Sequence, residues 1–211
     1  MTTIYQANPD DFIGKVPIER LLKQLPKSMH ARANRYRFEK DAYAFVLGRL
    51  LLKMGLAELN LSDDLDQISI DENGKPTLRH CFFNISHTKG MIVCAISNEC
   101  EIGIDVELMD EVDLLAFEDW FTKMEWKDIH DAKNSLDRFY WYWTRKESII
   151  KALGMKLSEL NKLLLDKDQD SFIENDKEWF IETLDFNKKY RGSLCSSVKN
   201  KTVFSKKQIK Y

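Results

Sequence analysis

Three short stretches place reactive side chains at telling intervals. The first is Ile102-Gly103-Ile104-Asp105-Val106-Glu107-Leu108. In a strand alternate residues share a face. The isoleucines, Val106 and Leu108 then face one way, and Gly103, Asp105 and Glu107 the other. Two carboxylates beside a residue with no side chain suit a hard cation and a ligand approaching the backbone. The plainer reading is a half-buried strand showing its polar residues to water. The second stretch is Trp143-Thr144-Arg145-Lys146-Glu147-Ser148-Ile149-Ile150-Lys151. At about 100° per residue, Phe139, Tyr142, Trp143, Ile150 and Leu153 form an apolar stripe. Lys146 falls near its centre, with Glu147 and Lys151 together on its flank. A buried lysine is costly without partners; its stem could snorkel to water, and Glu147–Lys151 could be an ordinary solvated pair. The alternative is a pocket of mixed charge. The third stretch, Phe82-Phe83-Asn84-Ile85-Ser86-His87, ends in a hydroxyl and an imidazole. Both can donate to phosphate, and both also suit a capped strand end.

Ordered elements must hold these groups. Residues 3–7 read as a short strand. Pro17 opens a helix over Ile18–Leu25, stopped by Pro26. A long helix is expected from about Ser28 to Leu59, with Tyr43, Val46, Leu47, Leu50, Leu51 and Met54 on one face. Asn73-Gly74 marks a turn. Strands are expected at Cys81–Ser86, Met91–Ser97 and Ile102–Leu108, the second so apolar that it should be central. Helical stretches follow near 112–120, 122–132 and 135–153. The tail from about Trp179 should hold two or three strands, ending in the lysine-rich 199–210. The order strand, long helix, strands occurs twice, so we expect two similar halves, 1–101 and 102–211.

Bulk properties narrow the function. The chain has 211 residues, 44% hydrophobic and 31% charged, with a formal net charge of −2. That balance gives no global footprint for nucleic acid. The cysteines, Cys81, Cys94, Cys100 and Cys195, form no C-x-x-C pair, which argues against zinc. No apolar run approaches the roughly 18 residues of a membrane span, and the first residues lack the apolar core of a secretory signal. A reduced, cytoplasmic protein is the expectation.

Together the motifs resemble the Sfp-type 4′-phosphopantetheinyl transferases. The resemblance rests on Gly74-Lys75-Pro76, Phe83-Asn84-Ile85-Ser86-His87, Gly103-Ile104-Asp105-Val106-Glu107, Phe121-Thr122-Lys123-Met124-Glu125 and the Trp143–Lys151 stretch, in family order and spacing. It runs from about Arg32 to Leu160. It implies an α+β fold of two pseudo-symmetric halves, each a long helix packed on a small, mostly antiparallel sheet, with a cofactor cleft between. It also implies transfer of the 4′-phosphopantetheine arm of coenzyme A to a serine of an apo acyl- or peptidyl-carrier protein, releasing 3′,5′-ADP. By resemblance, Mg²⁺ is held by Asp105, Glu107 and Glu147. Coenzyme A is contacted by Arg32, Gly74, Lys75, Pro76, Ser86, His87, Asp105, Lys146 and Lys151. The base is Glu147 or Glu125, directly or through a metal-bound water, and Lys151 stabilises the pyrophosphate.

Two departures stand out. Many members carry an arginine three residues after Asp41; here it is Ala44, leaving the 3′-phosphate to Arg37, Arg49 or others. After Lys151, where the family usually reads G-x-G-L-S, the chain reads Gly154-Met155-Lys156-Leu157-Ser158. Two other readings are a Mg²⁺-dependent nuclease or phosphatase using the same acidic cluster, and a non-catalytic binder of carrier proteins. A monomer is expected, because two halves in one chain complete the cleft. Leu114, Leu115, Phe117, Trp120 and Lys123 are candidates for docking the carrier or for core packing.

Overall fold

Two runs of alternating residues set the frame. In β1 (Thr2–Ala7), Tyr5 packs to one side and Ile4 to the other. In β5 (Met91–Ser97), Ile92, Cys94 and Ile96 face the Tyr5 side while Val93 and Ala95 face the Ile4 side. A strand buried on both faces reads as a continuous apolar run, and β5 is indeed central. The computed structural model describes residues 1–199 and 201–211, so Asn200, within the lysine-rich tail, lies outside the described residues.

One four-stranded sheet has the order β10 (Thr202–Phe204), β1, β5, β4 (Phe82–Thr88). The other runs β6 (Ile102–Leu108), β9 (Tyr190–Ser196), β8 (Lys177–Leu184), β7 (Ser171–Glu174). A small hairpin pairs β2 (Ser69–Ile70) with β3 (Pro76–Thr77). Helices α1 (Ile18–Leu22), α2 (Lys27–Ala33) and α3 (Glu39–Glu58) belong to the first half, and α4 (Lys123–Asp131) and α5 (Ser135–Leu153) to the second. In each half an opening strand, a long helix and a closing antiparallel pair follow in order. The last strand of the pair lies between the other two: β1–β5–β4 and β6–β9–β8. The expected α+β fold of two related halves is borne out. Strand β10 departs from the repeat by returning to pair in parallel with β1.

Helix α3 packs Val46, Leu47, Leu50 and Leu51 against the Tyr5 side of the first sheet. Helix α5 packs Ile149, Ile150 and Ala152 with Trp179, Ile181 and Cys195 of the second. Between the sheets, Ile4, Val93 and Ala95 meet Ile102, Ile104, Val106 and Leu194. The layers are therefore helix, sheet, sheet, helix.

The expected helix over 28–59 is broken. It ends at Ala33 and restarts at Glu39, with Phe38 extended at φ −108°, ψ 134°. In a straight helix Arg32 and Phe45 would lie about 20 Å apart. The break folds Arg32 back to 5.1 Å from the Phe45 ring centre, with Tyr36 at 5.7 Å from the same ring. The stretch near 112–120 is a 3₁₀ turn over Leu114–Trp120 rather than an α-helix.

The sheets meet along an unusual seam. Strands β4 and β6 share no backbone ladder. Instead, side chains of β4 accept from the backbone of β6: Asn84 Oδ1 from the Ile104 N–H at 2.9 Å, Ser86 Oγ from Val106 at 3.4 Å and Thr88 Oγ1 from Leu108 at 3.2 Å. The opposite face of β6 lies under α5. A Cβ at Gly103 would stand 2.2 Å from the Ser148 carbonyl oxygen and 2.3 Å from the Ala152 nitrogen. Gly103→Ala should therefore push α5 off β6, at a cost of about 1–3 kcal/mol or more, as for overpacked cores. Urea denaturation should show a lower midpoint, and unchanged stability would mean that the helix approach is not tight.

Candidate active site

Alternation in β6 turns Asp105 towards α5, where it is 2% exposed. This excludes the reading in which the polar face of β6 meets water. Asp105 Oδ1 accepts from Lys151 Nζ at 2.6 Å and from Ser86 Oγ at 2.9 Å, and Lys151 also donates to Ser86 Oγ at 3.2 Å. Ser86 thus joins the seam to the site. Glu147, one turn before Lys151, lies 3.7 Å from its ammonium. Glu107, two residues past Asp105, stands on the same face of β6 and is half-buried.

The electrostatics fit crowded carboxylates. Burial, then the neighbouring Asp105, pushes the Glu107 carboxyl up to about 7. Burial also raises Glu147, against the pull of Lys151. For Lys151 burial acts downward, but Asp105, Glu147 and Glu107 outweigh it and hold the ammonium above the usual lysine range. Each carboxylate favours a cation nearby, and Lys151 alone does not serve all three.

The remaining oxygen, Asp105 Oδ2, is buried with no hydrogen-bond partner. An orphaned carboxylate oxygen costs free energy unless a ligand meets it. Among the described residues no three of His, Cys, Asp and Glu converge as a ready metal site. The donor chemistry nonetheless suits a hard divalent ion: oxygen ligands only, an unpaired buried oxygen and a surplus of negative charge.

The second part of the site opens on the other side of β4. Arg32, Tyr36, Ala44, Phe45, Arg49, Pro76, Phe83, Asn84, Ile85 and His87 line a cavity of about 220 Å³. It includes two guanidinium groups and no carboxylate. Larger clefts lie elsewhere, such as one of about 490 Å³ between residues 6–12 and Tyr211, and those that carry lysines also carry carboxylates. Strand alternation explains the division: Ile85 and His87 line the cavity while Ser86 between them turns to Asp105.

The Gly74-Lys75-Pro76 turn sits beside this cavity through Pro76. Gly74 has φ +87°, a left-handed conformation that favours glycine, and a Cβ there would meet nothing within 4 Å. Asp71 Oδ1 fixes the turn by accepting from the N–H groups of Asn73 and Lys75. The Lys75 side chain reaches away, donating to the Ala152 carbonyl at 2.5 Å near the end of α5. Burial lowers its pKa.

Lys146 and Glu125 have a different setting. They form an ion pair at 2.7 Å, and their side chains are 1% and 2% exposed. Glu125 closes the N-terminal capping box of α4, accepting from the Thr122 N–H at 2.8 Å, while its other oxygen accepts from Leu165 at 3.1 Å. Lys146 also donates to the Leu160 carbonyl at 3.0 Å and lies 5.4 Å from the Phe121 ring centre. The pair thus joins α5 to α4 and the 157–165 segment. The lysine on the apolar stripe does not snorkel: it is buried against a carboxylate. Sequence reasoning overlooked the seam residues Asn84 and Thr88. Their signal was present, since polar Asn84, Ser86 and Thr88 recur every second residue on one face of the strand.

Comparison with known proteins agrees with this architecture. The family described as the 4′-phosphopantetheinyl transferase superfamily matches residues 101–202. That described as 4′-phosphopantetheinyl transferase, N-terminal, matches 15–99. The chain is 35% identical over 171 residues to 4′-phosphopantetheinyl transferase gsp of Aneurinibacillus migulanus, covering 77% of this chain and 72% of that protein. It is 27% identical over 206 residues to 4′-phosphopantetheinyl transferase Sfp of Bacillus subtilis, covering 92% of each. A mouse L-aminoadipate-semialdehyde dehydrogenase-phosphopantetheinyl transferase is 33% identical over 155 residues, covering 64% of this chain and 50% of that one. Fold and matches together define an enzyme of group transfer. The chain belongs to the Sfp-type 4′-phosphopantetheinyl transferase family, for which coenzyme A is the substrate and carrier proteins are the partners.

The buried pair separates structural from chemical roles. Lys146→Met should strand Glu125 and cost about 3–5 kcal/mol, as expected when one partner of a buried ion pair is removed. Adding Glu125→Gln should recover part of that loss. Denaturation of the single and double variants measures it; equal loss in both would place the energy outside the pair.

Proposed function

We propose that the Asp105–Ser86–Lys151 cluster and the Arg32–His87 cavity are the two ends of one coenzyme A site. Transfer from that site proceeds by attack of a carrier-protein serine. The serine oxygen forms a bond to the β-phosphorus, the bond to the bridging oxygen breaks, and 3′,5′-ADP leaves with the electron pair. The reading is carried by the single buried serine that links the acidic cluster to the strand lining the cavity.

Asp105, Glu107 and Glu147 would hold Mg²⁺, and the orphaned Asp105 oxygen supports that assignment. When bound, the ion supplies charge neutralisation across the pyrophosphate. The chain's own residues do the rest. Lys151 meets charge that grows on the pyrophosphate oxygens. Its neighbours keep it protonated, as that task requires. Glu147, 3.7 Å from the Lys151 ammonium, is the candidate to receive the serine proton. Glu125 is a poorer candidate for that proton because both its oxygens are already engaged. The Gly74 turn offers open backbone beside Pro76 for the adenine. Lys75 positions this turn against the end of α5, and Lys146 supports the helix from beneath.

The halves 1–101 and 102–211 divide the labour: cofactor grip in the first, acidic cluster and catalytic helix in the second. The two halves complete the cleft within one chain, and a monomer working in the cytoplasm is our reading. Among the described residues no helix is long and apolar enough to cross a membrane. Among the described residues nothing favours a nuclease, a phosphatase or a non-catalytic binder over the transferase.

The direct test is incubation with coenzyme A, Mg²⁺ and an apo carrier protein, followed by mass spectrometry of the carrier. The carrier should gain one phosphopantetheine arm. Asp105→Ala should abolish most transfer. Lys151→Met should lower kcat by about 10²-fold or more, the range for losing one preorganised electrostatic contact. A rise in KM alone for Lys151→Met would overturn its assigned role.

Docking of the carrier is tested by a second pair of variants. Phe117 packs edge-on against Phe139 at 5.1 Å and Trp143 at 5.4 Å, whereas Leu115 is 68% exposed. Leu115→Glu should raise KM for the carrier and leave solubility intact, while Phe117→Glu should lower the soluble yield. An unchanged carrier KM in Leu115→Glu would remove this turn from the docking surface.

A further inference from the structure

Thr88 closes β4, and its place is fixed from several sides. It pairs with Met91 across the tight turn Lys89-Gly90. Gly90 has φ +78°, and a Cβ there would stand 2.6 Å from the Tyr190 hydroxyl. Tyr190 donates that hydroxyl to the Lys89 carbonyl at 3.1 Å. In β9 the same Tyr190 pairs with Leu108 of β6. Leu108 in turn donates its N–H to Thr88 Oγ1 at 3.2 Å. The hairpin tip is thus locked to the strand that carries two of the carboxylates. Threonine is also stiff about its first side-chain bond, so its hydroxyl has little freedom to turn away.

A hydroxyl that accepts one hydrogen bond still has a proton to give. Ser86 uses both capacities: it accepts from the Val106 N–H and donates to Asp105. Thr88 repeats the pattern two residues on. It accepts from Leu108, and its hydroxyl bonds the side chain of Glu107, which precedes Leu108 as Asp105 precedes Val106. Where β6 carries Gly103 instead of an acid, the seam residue is the amide Asn84 rather than a hydroxyl. Burial and then Asp105 raise the Glu107 pKa, and the Thr88 bond is the foremost influence the other way, ahead of Lys151. Lys151 lies 2.6 Å from Asp105 and 3.7 Å from Glu147. Glu107 makes no ion pair among the described residues, so a neutral hydroxyl is what holds it.

We propose that Thr88 is a positioning residue for Glu107, holding its carboxylate ready for a divalent cation beside Asp105 and Glu147. The inference rests on the Mg²⁺ assignment proposed above and adds a residue outside the ligand set. Thr88 carries no charge and would not touch the ion. It restricts a flexible side chain whose freedom would otherwise be lost on binding. Hydrogen bonds to ligating carboxylates act on metal affinity in this way. The contribution of Thr88 is therefore to metal binding first, and to transfer only through it.

The test reads metal binding without turnover. Mn²⁺ is titrated into the protein with coenzyme A and no carrier, and free Mn²⁺ is followed by electron paramagnetic resonance. Thr88→Val keeps the shape of the side chain and removes the hydroxyl. It should weaken Mn²⁺ binding about 10- to 100-fold, the range for losing a hydrogen bond to a metal ligand. Thr88→Ser keeps the hydroxyl and should restore most of the affinity. In the Glu107→Gln background, Thr88→Val should weaken binding no further. If Thr88→Val yields no soluble protein, Tyr190→Phe serves instead, since it frees the hairpin tip and alters neither Thr88 nor Glu107, and a smaller loss of affinity is expected. Unchanged affinity in Thr88→Val, or in Tyr190→Phe where that serves, overturns the assignment. So does an equal loss in the wild-type and Glu107→Gln backgrounds, because Thr88 would then act on something other than Glu107. Equal Mn²⁺ uptake by wild type and Glu107→Gln would instead sink the metal reading on which the assignment rests.

Discussion

Two sheets meet in this molecule without a backbone ladder, and everything in the site depends on how that gap is bridged. Two edge strands lying side by side would normally either pair or expose their N–H groups. Here Asn84, Ser86 and Thr88 reach across and accept what a neighbouring backbone would have accepted. The spacing between strands becomes a side-chain length, and a groove opens where a ladder would have closed it. Because Ser86 has a hydroxyl, it can accept from the Val106 N–H and still donate to Asp105. One residue thereby sets both the sheet separation and the orientation of the central carboxylate.

The close approach at Gly103 completes the arrangement from the other side. It lets α5 settle onto β6 closely enough for Lys151 to reach Asp105. The site is then a balance of charges held out of water, more negative than its one lysine can neutralise. Such a site is tuned for a positively charged partner and for ligands arriving with one. Lys146, five residues before Lys151 on α5, ties that helix to Glu125 of α4 through a buried ion pair.

Much of this was legible in the sequence. Period-two alternation located β6 and both of its carboxylates, and the apolar run at 91–97 marked the central strand. The repeated order of elements pointed to two related halves. What stayed hidden was tertiary. The break at 34–38 follows from Arg32 and Tyr36 folding back over Phe45, a contact that helical periodicity cannot anticipate. The resemblance offered Lys146 as a cofactor contact and Glu125 as one of two bases, and neither motif shows that the two side chains are buried against each other. Lys75 was expected at coenzyme A by resemblance alone, and no local pattern announces that its side chain reaches the end of α5. Arg49 was named only as a stand-in at the cofactor, and its burial between Phe45 and Phe83 is tertiary. The helix is buried on nearly every side, so no solvated face existed for it.

The parallel pairing of β10 with β1 has a consequence for how the chain is made. Strand β1 contributes Thr2–Ile4 to that pairing, yet its partner spans residues 202–204. Until those residues emerge from the ribosome, the first half carries an unpaired edge next to its central strand. Non-local pairing of this kind is slow because a very long loop must close first. An exposed edge is also a template for unwanted pairing with other chains. The molecule is thus sewn shut by its last stitches. Its first half, translated early, waits for the second half before its sheet has a finished border and before Ile4, Val93 and Ala95 are covered.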